Sequence, residues 1–263
     1  MIDYCYHTHT YRCGHAIGKE EAYVIAAIEK GIKVLGFTDH VFLPDLEQNG
    51  MRGSFMELDD YIYTIKGLQR KYADKIEIHL GFECEFGEKY EDYYHYLKEI
   101  KGIEYLILGQ HLFFEGDDLV WLSRYGTPEE MLDHYVEVLI SGMKTGLFTY
   151  IAHPDMCLRF FKKVTPFVEA HIRKICEAAE YYEIPLEINM GGMRNCRRDP
   201  TSEYLKYPCE DFFRIASEYR CQFIIGLDAH DPANFLNSDN DFAYAEDIIK
   251  RYHLRHITRL NIK

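Results

Sequence analysis

Histidines and carboxylates recur along this chain in places that metal chemistry explains better than packing does. His7-Thr8-His9 sets two imidazoles two residues apart, so on an extended segment both face the same side. His15 follows, then Asp39-His40, Glu83, His111, His153 and Asp228-Ala229-His230. Any one of them alone reads as a core histidine or a helix cap. Taken together they share a position, at or just past the end of a short apolar run of strand type. The other histidines serve as a control: His95, His134 and His171 fall in helical patterns, His79 inside a strand, and His253 and His256 in a basic tail. Seven histidines with two or three carboxylates exceed the roughly four to six donors that one transition-metal ion takes. A carboxylate would then bridge ions about 3.5–4 Å apart. Such a centre makes hydroxide near neutral pH and neutralises a phosphate held across it, and phosphoester hydrolysis uses both features.

Strand-type runs span Met1 to Tyr6, Val34 to Thr38, Ile76 to Phe82, Tyr105 to Leu108, Phe148 to Ala152, Leu186 to Asn189 and Phe223 to Leu227. Helical patterns lie between them, from Lys19 to Lys30, Leu58 to Tyr72, Tyr90 to Ile100, Val168 to Tyr181, Pro208 to Tyr219 and Asn240 to Tyr252. A further helix opens at Thr127-Pro128-Glu129-Glu130, with Thr127 as N-cap, proline in the first turn and Glu130 closing a capping box. Gly31 reads as a C-cap. Strict alternation predicts an α/β fold of parallel βα units, with the polar residues gathered at the C-terminal ends of the strands. No Pro/Gly/Ser linker divides the chain, so one domain over 1–263 is expected. The segments 41–57, 112–126 and 190–207 read as long loops rimming the mouth.

The formal net charge of −13 argues against a long nucleic acid as partner. A small-molecule phosphate ester is expected instead. The oligomeric state is not legible. The eight cysteines form no CxxC pair and no leader-type segment opens the chain, so free thiols in a cytoplasmic, reducing setting are expected. No run reaches the roughly 18 apolar residues of a membrane helix.

The opening HxH, the His six residues later, Thr38-Asp39-His40, the isolated Glu83, Gly109-Gln110-His111, Ala152-His153-Pro154-Asp155 and Asp228-Ala229-His230 occur in this order. As a set they resemble the PHP family (polymerase and histidinol phosphatase) over the whole chain. The resemblance implies a distorted (β/α)7, TIM-like barrel with two or three divalent transition-metal ions, zinc, iron or manganese. By family pattern His7, His9, Glu83 and Asp228 hold the first ion. Glu83, as bridge, holds the second with His111 and His153, and His15, His40 and His230 hold the third. Glu83 and Asp228 are the catalytic carboxylates, and Asp39 is expected to orient His40 or a water.

Within the family, Ala152-His153-Pro154-Asp155-Met156, Leu186-Glu187-Ile188-Asn189 and Gly192-Met193-Arg194 are similar to the histidinol-phosphate phosphatase branch. Gln110, and the segment Cys13-Gly14-His15, depart from the family's common form. The resemblance implies hydrolysis of L-histidinol phosphate by a hydroxide held between the first two ions. Arg159, Arg194 and Arg197 are candidates for the phosphate, and Glu115 and Asp117 for the substrate's ammonium and imidazole. A nucleotide phosphoesterase of the same family is the nearest rival. A barrel amidohydrolase is a rival from another class, and it would commonly need fewer histidines.

Overall fold

The computed structural model describes residues 2–116, 118–198 and 201–262, without the side chains of 195–198. Among the described residues ten strands run in chain order: β1 (Tyr4–Cys5), β2 (Val34–Phe37), β3 (Glu77–Cys84), β4 (Tyr105–Leu108), β5 (Leu112–Glu115), β6 (Asp118–Trp121), β7 (Tyr150–Ile151), β8 (Leu186–Asn189), β9 (Gln222–Gly226) and β10 (Arg255–His256). Nine α-helices are interleaved among the same described residues: α1 (Glu20–Lys30), α2 (Leu58–Lys71), α3 (Glu91–Glu99), α4 (Pro128–Thr145), α5 (Pro166–Tyr181), α6 (Met190–Arg198), α7 (Glu210–Ala216), α8 (Ala233–Leu236) and α9 (Asp239–Tyr252).

Eight strands form one parallel sheet in the order β1-β2-β3-β4-β7-β8-β9-β10. Strands β2, β4 and β8 are buried along their whole length, as expected when helices cover one face and a packed interior the other. The sheet curls until its ends meet. Thr8 pairs in parallel with Ala229, His9 N–H donates to the Ala229 carbonyl at 2.9 Å, and Ala229 N–H donates to the His7 carbonyl at 3.2 Å. The seven expected strands are therefore joined, first to seventh, at their C-terminal ends, in a TIM-like architecture.

The eighth strand corrects the reading of residues 253–256 as a plain basic tail. Strand β10 lies beside the start of β9, with His256 opposite Phe223. The Tyr4 hydroxyl spans that end of the seam, 2.7 Å from His256 Nε2, and accepts the Ile225 N–H at 3.2 Å.

Helix ends follow the sequence. Thr127 accepts the Glu130 N–H while Glu130 accepts the Thr127 N–H, which completes the capping box before α4. Gly31, at φ 86°, ends α1 in the left-handed conformation.

Two of the expected loops carry structure. Segment 112–126 contains the antiparallel hairpin β5–β6, closed by Leu122 N–H on the His111 carbonyl at 3.2 Å. Segment 190–207 begins with α6. In the third, Arg52 fixes residues 41–57 by donating to the Val41 carbonyl and to Glu85, each at 2.9 Å. Among the described residues no helix is long and apolar enough to cross a membrane.

Candidate metal centre

All nine expected ligand residues converge at the C-terminal mouth. His7 and His9 follow β1, His40 follows β2, and Glu83 lies in the last turn of the β3 ladder. His111 follows β4, His153 follows β7, and Asp228 and His230 follow β9. His153 and Asp228 have φ of 34° and 49°, in the left-handed region that non-glycine residues rarely adopt. Such backbone costs on the order of 1 kcal/mol per residue and clusters at functional sites.

The first position is a near-regular set of four donor atoms. His7 Nε2 lies 3.1 Å from His9 Nε2, 3.5 Å from Glu83 Oε2 and 3.6 Å from Asp228 Oδ1. His9 Nε2 lies 3.3 Å from the same Glu83 oxygen and 3.5 Å from the same Asp228 oxygen. Donors about 2.0–2.2 Å from one ion in tetrahedral geometry stand about 3.3–3.6 Å apart. Four of the five edges fall in that range, and the His7–His9 edge, at 3.1 Å, is shorter.

The other carboxylate oxygen of Glu83 faces the opposite way. Its Oε1 is 2.6 Å from His153 Nε2 and 3.7 Å from His111 Nε2. Glu83 thus presents one oxygen to each of two donor groups, which is the geometry of a bridge. Gly109 leaves the room for it, because a Cβ there would sit 2.0 Å from Glu83 Oε1.

The third group lies at the rim. His15 Nε2 and His230 Nε2 are 3.0 Å apart. The His40 ring centroid is 4.6 Å from His9 and 5.5 Å from His15. His40 Nδ1 stands 3.2 Å from Glu83 Oε2 but out of line for a hydrogen bond.

Outer partners aim these rings, and sequence reasoning missed them. His7 Nδ1 donates to Glu187 Oε1 at 2.8 Å, and His111 Nδ1 to Glu85 Oε1 at 3.0 Å. Glu85 is held in turn by Arg52 at 2.9 Å, with both side chains fully buried. A carboxylate on the far nitrogen of a ligating histidine fixes its tautomer and raises its basicity. The available signal was Glu85 two residues after Glu83, on the same side of the strand, and Glu187 as a lone charge within a buried strand. Asp39 corrects its expected role. Both its oxygens take Thr10, one the N–H and one the hydroxyl, at 2.7 Å each, so it anchors the segment after His9 and does not orient His40.

The electrostatics call for positive charge at the centre. Burial would raise Glu83, but His111, His7, His40 and His153 hold its carboxyl well below the usual range. Asp228 is held well below as well, by His7 and His230 against burial. Burial alone would lower His7, yet Glu187, Asp228 and Glu83 keep it well above its ordinary value. His9 is pushed down to about 3 by burial and by His230, so it offers a lone pair. Anionic carboxylates and imidazole lone pairs at cage distances fit divalent cations.

A cleft of about 540 Å³ opens over the centre, lined among others by Trp121, Arg159, Arg194, Tyr207, Asp231 and Asn234. Of the expected substrate residues, Arg159 lies exposed at its edge, its guanidinium over the Phe160 ring. Arg194 also lines the cleft but is engaged. It donates to the Leu227 and Asp228 carbonyls at 2.7 and 2.6 Å and pairs with Asp241 at 3.2 Å, so it braces the β9 end and is not a free phosphate ligand. Glu115 is not in the cleft. Hairpin pairing places it opposite Asp118 at the tip, where it meets His134 at 3.3 Å. Asp117 and the side chain of Arg197 lie outside the described residues. Trp121, brought over the centre by the hairpin, was not anticipated.

Comparison with known proteins bears on the family and the fold. The sequence model of the PHP domain matches residues 6–191. The protein named probable histidinol-phosphatase in Deinococcus radiodurans is 27% identical over 231 residues, 86% of this chain and 85% of that one. A HisK structure from Listeria monocytogenes superposes with a TM-score of 0.74 at 20% identity, over 91% of this chain and 99% of its own. Histidinol phosphate phosphatase from Lactococcus lactis subsp. lactis, solved with zinc, L-histidinol and phosphate, superposes with a TM-score of 0.72 at 20% identity, over 98% of both chains. At that identity the two structures establish the fold.

Proposed function

The chain belongs to the PHP domain family, and from that premise we propose a metal-dependent phosphomonoesterase that cleaves L-histidinol phosphate to L-histidinol and phosphate. The observation that carries this reading is the four-donor set of His7, His9, Glu83 and Asp228, with edges of 3.1–3.6 Å, sharing Glu83 with His111 and His153. The kinship in name to the Deinococcus protein, and in fold to the Lactococcus enzyme, supports the substrate. A single barrel unit over 1–263 would carry the whole activity.

In this reading His7, His9, Glu83 and Asp228 hold the first ion. Glu83, His111 and His153 hold the second, and His15, His40 and His230 the third. Zinc, iron or manganese bound there would polarise phosphoryl oxygens and lower the pKa of water. Glu187, Glu85 and Arg52 keep the donor rings in place. Arg159 meets the phosphate from the rim with a guanidinium suited to two oxygens. Trp121 offers a flat ring face to the substrate's imidazole, and Asp231 a carboxylate to its ammonium. The acidic balance suits a small ester that carries an ammonium better than a nucleic acid.

The test is phosphate release from L-histidinol phosphate beside a panel of nucleoside monophosphates, with metal analysis of the same sample. The expected result is turnover of histidinol phosphate at least about tenfold above every nucleotide, a difference of about 1.4 kcal/mol in the barrier. Preference for a nucleotide would overturn the substrate, and turnover without metal would overturn the centre.

A further inference from the structure

His15 and His230 meet through their Nε2 atoms. His15 Nδ1 lies 3.1 Å from the Cys13 carbonyl and 3.1 Å from the Gly50 carbonyl. Carbonyls only accept, so Nδ1 carries a proton, and in the neutral ring Nε2 bears the lone pair. His230 Nδ1 lies 3.2 Å from the Asp228 carbonyl and 3.3 Å from its carboxylate, so the same assignment holds there. When both rings are neutral, the two Nε2 lone pairs face each other at 3.0 Å. A shared cation turns that repulsion into binding.

A third donor is already present. Cys13 Sγ is 3.9 Å from His15 Nε2, and the donor atoms of Cys13, His15 and His230 all lie within 4.8 Å of one another. On one tetrahedral ion, with nitrogen at about 2.05 Å and sulfur at about 2.3 Å, nitrogens stand about 3.3 Å apart and sulfur about 3.6 Å from nitrogen. The His15–His230 and Cys13–His15 separations, 3.0 and 3.9 Å, differ from these by a few tenths of an ångström.

The local backbone holds the arrangement. Cys13 is fully buried at the end of a short 3-10 turn, Tyr11–Cys13, capped by Thr10, which Asp39 anchors. Gly14, at φ 78°, reverses the chain so that His15 returns over the sulfur, and a Cβ there would strike Gly50 Cα at 2.8 Å.

We propose that Cys13 is a thiolate ligand which joins His15, His40 and His230 in holding an ion at the third position. Binding breaks the S–H bond, forms a sulfur–metal bond and passes the proton to solvent. A thiolate selects a borderline ion, zinc or iron(II), over manganese. The proposal rests on the reading of the mouth as a metal centre but is independent of the substrate.

The experiment is X-ray absorption on the zinc-loaded full chain, backed by cobalt(II) substitution. Wild type is expected to show a sulfur scatterer at about 2.3 Å and a thiolate-to-cobalt charge-transfer band in the near ultraviolet. Cys13→Ser and Cys13→Ala should lose both signals and one ion per chain while keeping the remaining ions. Zinc surrounded only by nitrogen and oxygen in wild type would overturn the proposal, whether or not either variant folds. A sulfur signal surviving in a folded variant would overturn it too. A chain that binds no metal would overturn the centre itself, whereas metal bound without sulfur removes only Cys13.

Discussion

Glu187 Oε1 receives the His7 Nδ1 proton at 2.8 Å, while its Oε2 receives the His153 backbone N–H at 2.9 Å and the Asn189 amide at 2.8 Å. One buried carboxylate thus aims a donor of the first position and fixes the left-handed turn that presents a donor of the second. Glu187 itself does not line the cleft.

Glu187→Gln is therefore predicted to weaken metal binding by about 10–100-fold, with turnover falling in parallel. Gly226→Ala should give the same defect with every ligand intact, because its Cβ would sit 1.6 Å from Glu187 Oε1. Zinc affinity measured against a competing chelator checks both. Wild-type affinity in Gly226→Ala would show that Glu187 can move without consequence.

The two arginines of the cleft should separate in kind. Arg159 is exposed at the rim, so Arg159→Ala is predicted to raise KM for phosphate esters about tenfold or more with little change in melting temperature. Arg194 braces two carbonyls and Asp241, so Arg194→Ala is predicted to cost about 2 kcal/mol or more of stability and to lower metal content. Steady-state kinetics with thermal unfolding of both variants decides. Equal KM effects with equal stability would mean that Arg194 also reaches the substrate.

What could be read in the chain, and what could not, follows from how each signal is built. The ligand histidines share a place at strand ends, and the strands announce themselves as short apolar runs, so barrel and centre were legible together. Glu187 and Glu85 have no such shared position. Their role depends on which ring faces them across the barrel, and the spacing of Glu85 from Glu83 gives its side of the strand but not that partner. Glu115 misled because nearness in sequence to His111 implied nearness in space, while the β5–β6 hairpin carries it to the far tip. That hairpin was hinted at by Gly116 between Leu112-Phe113-Phe114 and Leu119-Val120-Trp121. Strand β10 is two residues long, too short for any periodicity.

The seam at the bottom of the barrel predicts a pH effect away from the metal. Burial holds the His256 imidazole below its ordinary 6.5, opposed weakly by Glu246, and the neutral ring sits on the Tyr4 hydroxyl at 2.7 Å. A depressed folded-state value means that this contribution is fully present above about pH 6.5 and is lost as pH falls through the folded value. His256→Gln should therefore lose less stability than wild type between about pH 7.5 and about pH 5. Urea unfolding of metal-free protein at both pH values measures it, and an identical loss in the two proteins would contradict the assignment.

The central claim is that hydrolysis depends on the ions shared through Glu83. The most direct measurement titrates zinc into chelator-stripped wild type and Glu83→Gln while following phosphate release from L-histidinol phosphate and zinc bound per chain. Turnover should be absent at the start and rise in wild type only as the positions joined by Glu83 fill, with Glu83→Gln binding less zinc and staying inactive. Full turnover in the stripped protein, or in Glu83→Gln, would contradict the account.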